Sequence, residues 1–215
     1  MIALKSQFMS NLLKILLGAL LVLGLLELLG AVVGFIDVDF FAEKLYTPYS
    51  IVEIMGIVLY YIIVVIYLVW IYRVHMDLGL LFPGFSRSPR RALAELLVPI
   101  YNLYGVPAVY REIGSQFADE GGELQKAGKW IRRLAVPLIL LIMAMNVFNR
   151  YIQAADELGF GVLVANSVVS CLSYAVFLAL VLFIAGAMRA TAAAQDGERA
   201  AKEQSSLTEP AALNV

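Results

Sequence analysis

The sequence holds one cysteine, Cys171, and one histidine, His75. A single thiol forms no internal disulfide and no C-x-x-C redox or metal motif. A single imidazole excludes metal sites built from clustered histidines. Charge is also scarce: Asp, Glu, Lys and Arg supply 15% of the 215 residues, where a soluble domain has roughly 25%. No nucleophile–base set and no phosphate-binding glycine loop is legible. The chain is therefore expected to be no enzyme and to use no metal or cofactor. The net charge is -1, and acids interrupt the basic stretches, so no nucleic-acid surface is expected.

What replaces charge is apolar length. Hydrophobic residues make up 61% of the chain, and the mean hydropathy is +0.83. That is far more than one soluble core requires. It predicts an all-α integral membrane protein with four transmembrane helices at 12–36, 51–72, 130–152 and 160–188. Residues 1–11 form a short head. The stretch 12–36 also has features of a secretory signal peptide, a charged lead and small residues at 30–34, but its apolar run exceeds the usual roughly 7–15 residues. Residues 37–50 read as a loop carrying Asp37, Asp39 and Glu43. Pro137 reads as lying near the start of span three, where a helix tolerates it. Asp156 and Glu157 read as the next loop. The tail, 191–215, is expected to extend span four as a helix and to fray into disorder by about Ser205.

The sixteen Lys and Arg residues sort by side. Lys5 and Lys14 precede or open span one. Arg73, Arg87, Arg90, Arg91, Arg111, Lys126, Lys129, Arg132 and Arg133 lie between spans two and three, and Arg189, Arg199 and Lys202 follow span four. Only Lys44 and Arg150 fall on the other side. The positive-inside bias predicts that both termini and the long connection are cytoplasmic, in the plasma or inner membrane. Trp70 and Trp130 then sit at the cytoplasmic interface, and Tyr46, Tyr49 and Tyr151 at the outer one.

Several polar residues fall inside the apolar spans: Glu27, Glu53, Asn146, Asn149, Asn166 and Ser170. Asn166, Ser170 and Ser173 recur at i, i+4, i+7 and share one helix face. An ionisable group facing lipid is costly, so Glu27 is expected to face the bundle or water. Two readings stand side by side: a polar cavity in the outer half for a proton, ion or small solute, and interhelical hydrogen bonds that fix register. Gly30-x-x-x-Gly34 permits close helix approach, within the chain or between copies. Cys171 reads as a small buried apolar side chain.

The connection between spans two and three is punctuated by proline. Ser88-Pro89 is a helix start, with serine as the cap and proline in the first turn. Leu93, Leu96, Leu97 and Ile100 follow at helical spacing opposite Arg90, Arg91 and Glu95, which predicts an amphipathic helix over 89–98. Pro99 ends or kinks it. Asn102 and Gly105 read as a turn, and Pro107 as the start of a second short helix over 107–117. A fifth span here would move Lys126, Lys129, Arg132 and Arg133 outside, against the charge rule. The expectation is a cytoplasmic interfacial or re-entrant helix pair that meets the lipid bilayer, including anionic headgroups, or plugs the base of the bundle.

Trp70-x-Tyr72-Arg73, Ser88-Pro89, Val98-Pro99-Ile100-x-Asn102-Leu103, Pro107 and Arg111-Glu112-Ile113 together resemble the bacterial membrane family called domain of unknown function 4328. The resemblance covers about 51–190 as an arrangement of spans, with its specific motif confined to 70–115. Members often carry tryptophan before V-P-I and after R-E-I, where this chain reads ALAELL and GSQF. The resemblance implies a multi-span membrane protein and transfers no catalytic residue. The motif residues Trp70, Arg73, Pro99, Asn102, Pro107, Arg111 and Glu112 become one candidate site, and the intramembrane polar residues the other. Three functions follow in order: a non-enzymatic scaffold, regulatory or envelope-associated component with a homo-oligomeric or membrane-protein partner; a small oligomeric transporter or channel around Glu27; and a lipid-modifying enzyme using His75, Asp77, Asn102 and Arg111.

Overall fold

The computed structural model describes residues 2–97, 99–155 and 159–208, with side chains except at 99–104 and 205–208. Regular structure in these residues is helical throughout. The elements are α1 (Gln7–Ile36), α2 (Val38–Phe40), a π-helical turn (Phe41–Leu45), α3 (Tyr46–Leu81), α4 (Pro89–Leu97), α5 (Pro99–Ala118), α6 (Gly122–Ala154) and α7 (Phe160–Thr208). Four stretches are long and apolar enough to cross a membrane: Gln7–Ile36, Val38–Leu81, Gly122–Ala154 and Phe160–Gln204. Each contains one of the four predicted spans and most run well beyond it. In hydrocarbon the backbone must satisfy its own hydrogen bonds, so even the β-branched run of α3 is helical.

The helices outrun the bilayer. The 36 residues of α3 extend about 54 Å at 1.5 Å per residue, against about 30 Å of hydrocarbon. The 49 residues of α7 extend about 74 Å. Arg189 onward continues the helix as expected, and its helical residues run to Thr208. Residues 209–215 lie outside the described residues.

Three sequence expectations change. The 37–50 loop is helical apart from Asp37, whose backbone is extended and whose carboxylate accepts the Phe40 N–H at 2.9 Å. One capping residue thus reverses the chain, and Phe41 anchors the corner by edge contacts with Tyr49 and Phe160 at 5.3 and 5.0 Å between ring centroids. Second, Pro107 does not start a helix: α5 runs unbroken from Pro99, so Asn102 and Gly105 are helical rather than a turn. Gly105 is buried against α4, where a Cβ would stand 2.5 Å from the Glu95 carbonyl oxygen, so its missing side chain serves close contact. Val98, between α4 and α5, lies outside the described residues. Third, Pro137 is interior to α6, because that helix begins at Gly122 directly after the Gly121-Gly122 turn. Both turn glycines have positive φ, 81° and 56°, which other residues rarely adopt. Asp156 and Glu157 lie outside the described residues.

The long helices do not close a ring. α1 packs on α3 and α7, and α7 packs on α6, while α3 and α6 make no substantial contact of their own. Their basic ends are joined by the shorter helices: α4 lies on α3 and α5, and α5 lies along α6. Close crossings depend on glycine. A Cβ on Gly114 would stand 2.7 Å from the Gly128 carbonyl oxygen, and one on Gly128 would stand 2.5 Å from the Ala118 nitrogen. Gly30 and Gly34 face the rings of Tyr49 and Phe160, so this small-residue pair serves contacts within the chain.

The most fully buried large side chains include Trp70, Tyr110, Phe117, Leu78, Ile113 and Ile131, and they gather toward the basic end. In α5, Val106, Val109, Tyr110, Ile113 and Phe117 are buried at helical spacing. Tyr110 and Phe117 bridge to α3: the Tyr67 and Tyr110 hydroxyls are 2.5 Å apart, and Phe82 meets Phe117 edge-on.

Candidate functional site

The polar chemistry of the described residues concentrates at the basic end in two networks. The first ties the start of α1 to the end of α3. Asp77 is fully buried, and its carboxylate accepts the Lys5 N–H at 3.1 Å and the Ser6 N–H at 2.7 Å. The first N–H groups of a helix have no partner within it, and a carboxylate there also meets the positive end of the helix dipole. Asp77 therefore caps α1 from a different helix. Trp70, two turns earlier on α3, donates its indole N–H to the Ser10 hydroxyl at 2.8 Å. Arg73 donates to the Lys5 carbonyl at 3.3 Å. Further along, the Ile2 N–H donates to both Asp196 carboxylate oxygens at 3.0 and 2.8 Å, and Gln195 donates to the Leu81 carbonyl at 2.8 Å. The head, α3 and the extension of α7 are thus one hydrogen-bonded unit.

The second network ties the α3–α4 connection to α4 and α5. Arg87 donates Nη1 to Glu95 and Nε to Glu112, the latter at 2.5 Å. Glu95 also receives Arg91 at 2.9 Å, and Glu112 also accepts the Ser86 hydroxyl at 3.2 Å. The Arg87 side chain is only 11% exposed. A guanidinium offers its N–H donors in a fixed planar fork, so one arginine can hold two carboxylates on two helices. Ser88 caps α4 as expected, accepting the Arg91 N–H at 3.3 Å. His75 lies nearby on α3, its ring 5.7 Å from that of Phe85. It is buried, with Nδ1 2.8 Å from the Ile71 carbonyl, so Nδ1 carries the proton there. Nε2 has no hydrogen-bond partner among the described residues.

Three of the seven motif residues predicted from sequence belong to these networks. Trp70 and Arg73 belong to the first, and Glu112 to the second. Pro99 opens α5, and Pro107 is half-buried within it. Arg111 is exposed, one residue from the committed Glu112. The side chain of Asn102 lies outside the described residues. Asp77 is buried and bonded to the start of α1, while Arg111 is exposed on α5. Arg87 and Glu95 were not singled out in the sequence as members of a site, and Asp77 was named there only for the enzyme reading. Arg91 and Glu95, four apart on a helix, were the one pair in the second network that spacing alone could identify.

The intramembrane residues are only partly assembled. Glu27 leaves α1 over Gly56 of α3, where a Cβ would stand 2.6 Å from its Oε1. Glu53 lies within electrostatic reach of it. Ser170 is buried on α7, next to buried Cys171, whose Sγ meets Gly24 of α1. Ser173 is buried and donates to the Val169 carbonyl of its own helix at 2.8 Å. Asn166 is half-buried. Asn146 and Asn149 are exposed on α6, and Asn146 donates to the Ile142 carbonyl of its own helix at 2.9 Å. α6 makes no substantial contact with α1 or α3, so these two asparagines stay apart from Glu27 and Glu53. The cleft in this half is apolar, about 250 Å³, and lined by Leu26, Val33, Tyr49 and Val52 among others rather than by the carboxylates. Among the described residues no three His, Cys, Asp or Glu side chains gather as a metal-binding group.

A family model described as a domain of unknown function, DUF4328, matches residues 47–191. The match opens at the start of α3 and ends within α7, so it contains the second network entirely. No curated protein and no solved structure matches the chain.

Proposed function

The chain belongs to the DUF4328 family, and on that premise we propose that it is a non-enzymatic membrane scaffold with its platform at the basic end. The observation that carries this reading is how the charges there are used. Asp77, Arg87, Glu95 and Glu112 are taken up in bonds that lock the head, α3, α4 and α5 together. Groups committed in this way build a rigid surface rather than a reaction site. From it α7 projects: the 20 residues from Arg189 to Thr208 extend about 30 Å. An open cleft of about 820 Å³ lies between Ile2, Ala3, Leu80 and the Asp196–Glu203 face of α7.

In this reading the protein sits in the plasma or inner membrane with the basic end and both termini in the cytoplasm, by the positive-inside bias. α4 and α5 then lie at the cytoplasmic interface, where α4 buries Ala92 and Leu96 and exposes Arg90 and Arg91. A protein partner is expected to meet the projecting helix and the exposed Arg111. Photo-crosslinking residues at Arg199 and Arg111 test this in cells. The reading expects one discrete partner polypeptide trapped from both positions and none from Leu140, which faces away from the platform. Absence of any adduct, together with solute or ion flux in proteoliposomes, would reject it.

The second reading, a small oligomeric transporter or channel, draws on one observation: Glu27 and Glu53 approach each other where α1 meets α3. Two carboxylates in a membrane favour sharing a proton or a cation over standing charged side by side. Flux that disappears in Glu27→Gln, with abundance unchanged, would select it.

A further inference from the structure

We infer that the seam between α1 and α7 at the basic end is a binding site for the phosphate headgroup of an anionic lipid. Gln7, Asn11 and Lys14 recur at i, i+4, i+7 and form one polar stripe over the first turns of α1. Arg189 of α7 meets that stripe: Gln7, Asn11 and Arg189 line one small cavity of about 10 Å³, and Lys14 lies within electrostatic reach of Arg189. Two like charges on neighbouring helices repel. Neither has an acidic partner among the ion pairs of the described residues. Asp77, which also reaches Ser6 in this region, is already taken up by two backbone N–H groups. The Arg189 guanidinium spends its Nε–H on the Ala185 carbonyl at 3.2 Å, and its side chain is exposed. The seam therefore presents two cations and two neutral amides with no acid among them, which suits one phosphodiester.

Depth supports a lipid as the source of that phosphate. Trp130, exposed on α6 and stacked on Phe183 of α7, marks the headgroup level. Arg189 lies six residues beyond Phe183, about 9 Å further toward the basic end. Lys14 stands deeper along α1 and is half-buried; a lysine stem is long enough to lie along apolar surface while its ammonium stays at the headgroup level. Arg87 of the α3–α4 connection and Arg91 of α4 are less suited, because they are paired with Glu95 and Glu112. This inference stands apart from the scaffold reading: a scaffold and a transporter could each carry the site.

The test is thermal unfolding of the full chain in a neutral detergent, with phosphatidylglycerol, phosphatidylcholine or inorganic phosphate added. Phosphatidylglycerol is expected to raise the midpoint by about 3–5 °C, with little effect from the other two. Lys14→Gln/Arg189→Gln is expected to lose that increment, and Lys14→Arg/Arg189→Lys to keep it. If the double glutamine variant does not fold, Arg189→Gln alone takes its place, with a partial loss expected. An undiminished increment in the glutamine variants overturns the site. An equal shift with inorganic phosphate overturns the lipid as its ligand.

Discussion

Trp70 on α3 and Ser10 on α1 form a relay. The indole N–H donates to the serine hydroxyl at 2.8 Å, and that hydroxyl donates onward to the Ser6 carbonyl at 2.9 Å. Both side chains are buried. Ser10→Ala leaves the indole N–H without an acceptor and is expected to cost about 1–3 kcal/mol. Trp70→Phe/Ser10→Ala removes donor and acceptor together, so it should lose less than the two single changes summed. Unfolding in detergent, run as a double-mutant cycle, checks this through a coupling between the two sites.

Asp77 predicts a charge effect on the same helix end. Asp77→Asn keeps the shape but puts a neutral amide against the dipole and the two N–H donors, and is expected to cost about 1–2 kcal/mol. Asp77→Ala should cost more. Hydrogen exchange at Lys5, Ser6 and the first turn of α1 should accelerate in both variants. Unchanged exchange there would count against the cap.

Arg87 holds two helices. Arg87→Ala leaves Glu95 and Glu112 half-buried without their shared partner. The expected loss is on the order of 2–3 kcal/mol, below the about 3–5 kcal/mol of a fully buried pair because solvent reaches the carboxylates. Arg87→Ala/Glu95→Gln/Glu112→Gln should recover part of that loss. Proteolysis between α3 and α4 offers a direct readout, since the connection should become cleavable in the single variant first.

Glycine substitutions should separate by sign. Gly128→Ala and Gly114→Ala force apart the α5–α6 crossing, at about 1–3 kcal/mol each. Gly197→Ala adds a methyl to a helical position with nothing within 4 Å. It should stabilise the α7 extension by up to about 1 kcal/mol. Thermal midpoints across the three variants test the contrast.

Orientation has its own test, because Cys171 is the only thiol. In a Cys171→Ala background, Lys44→Cys is expected to react with a membrane-impermeant maleimide on intact cells, and Arg199→Cys only after lysis. The reverse pattern would invert the proposed topology.

The spans were legible because a run of about 20 apolar residues has few other uses and the charges sort cleanly between its ends. The contacts that organise the basic end were not. Asp77 at the end of an apolar helix looks like an ordinary interfacial acid until the start of α1 is brought beside it, 71 residues away in sequence from Ser6. Arg87 lies in a Pro- and Gly-containing connection, and its partner Glu112 is 25 residues on. Helical spacing reveals neighbours three or four apart and is silent about such distances. Proline misled for a related reason. Pro107 breaks a helix in water, but within this packed assembly α5 continues through it. Glu27 was expected to face the bundle or water, and its carboxylate lies over Gly56 of α3. The separation of Asn146 and Asn149 from it depends on which helices neighbour which, and the sequence pattern carries no such information.

Because the cap of α1 belongs to α3, the two helices are tied in time as well as in space. The ribosome releases α1 first, and its amino end waits with unpaired N–H groups until Asp77 has been synthesised and α3 has entered the bilayer. Insertion of the second span should therefore complete the first. Nascent chains arrested before Asp77 should leave α1 extractable from the membrane under conditions where chains arrested after Leu81 are retained.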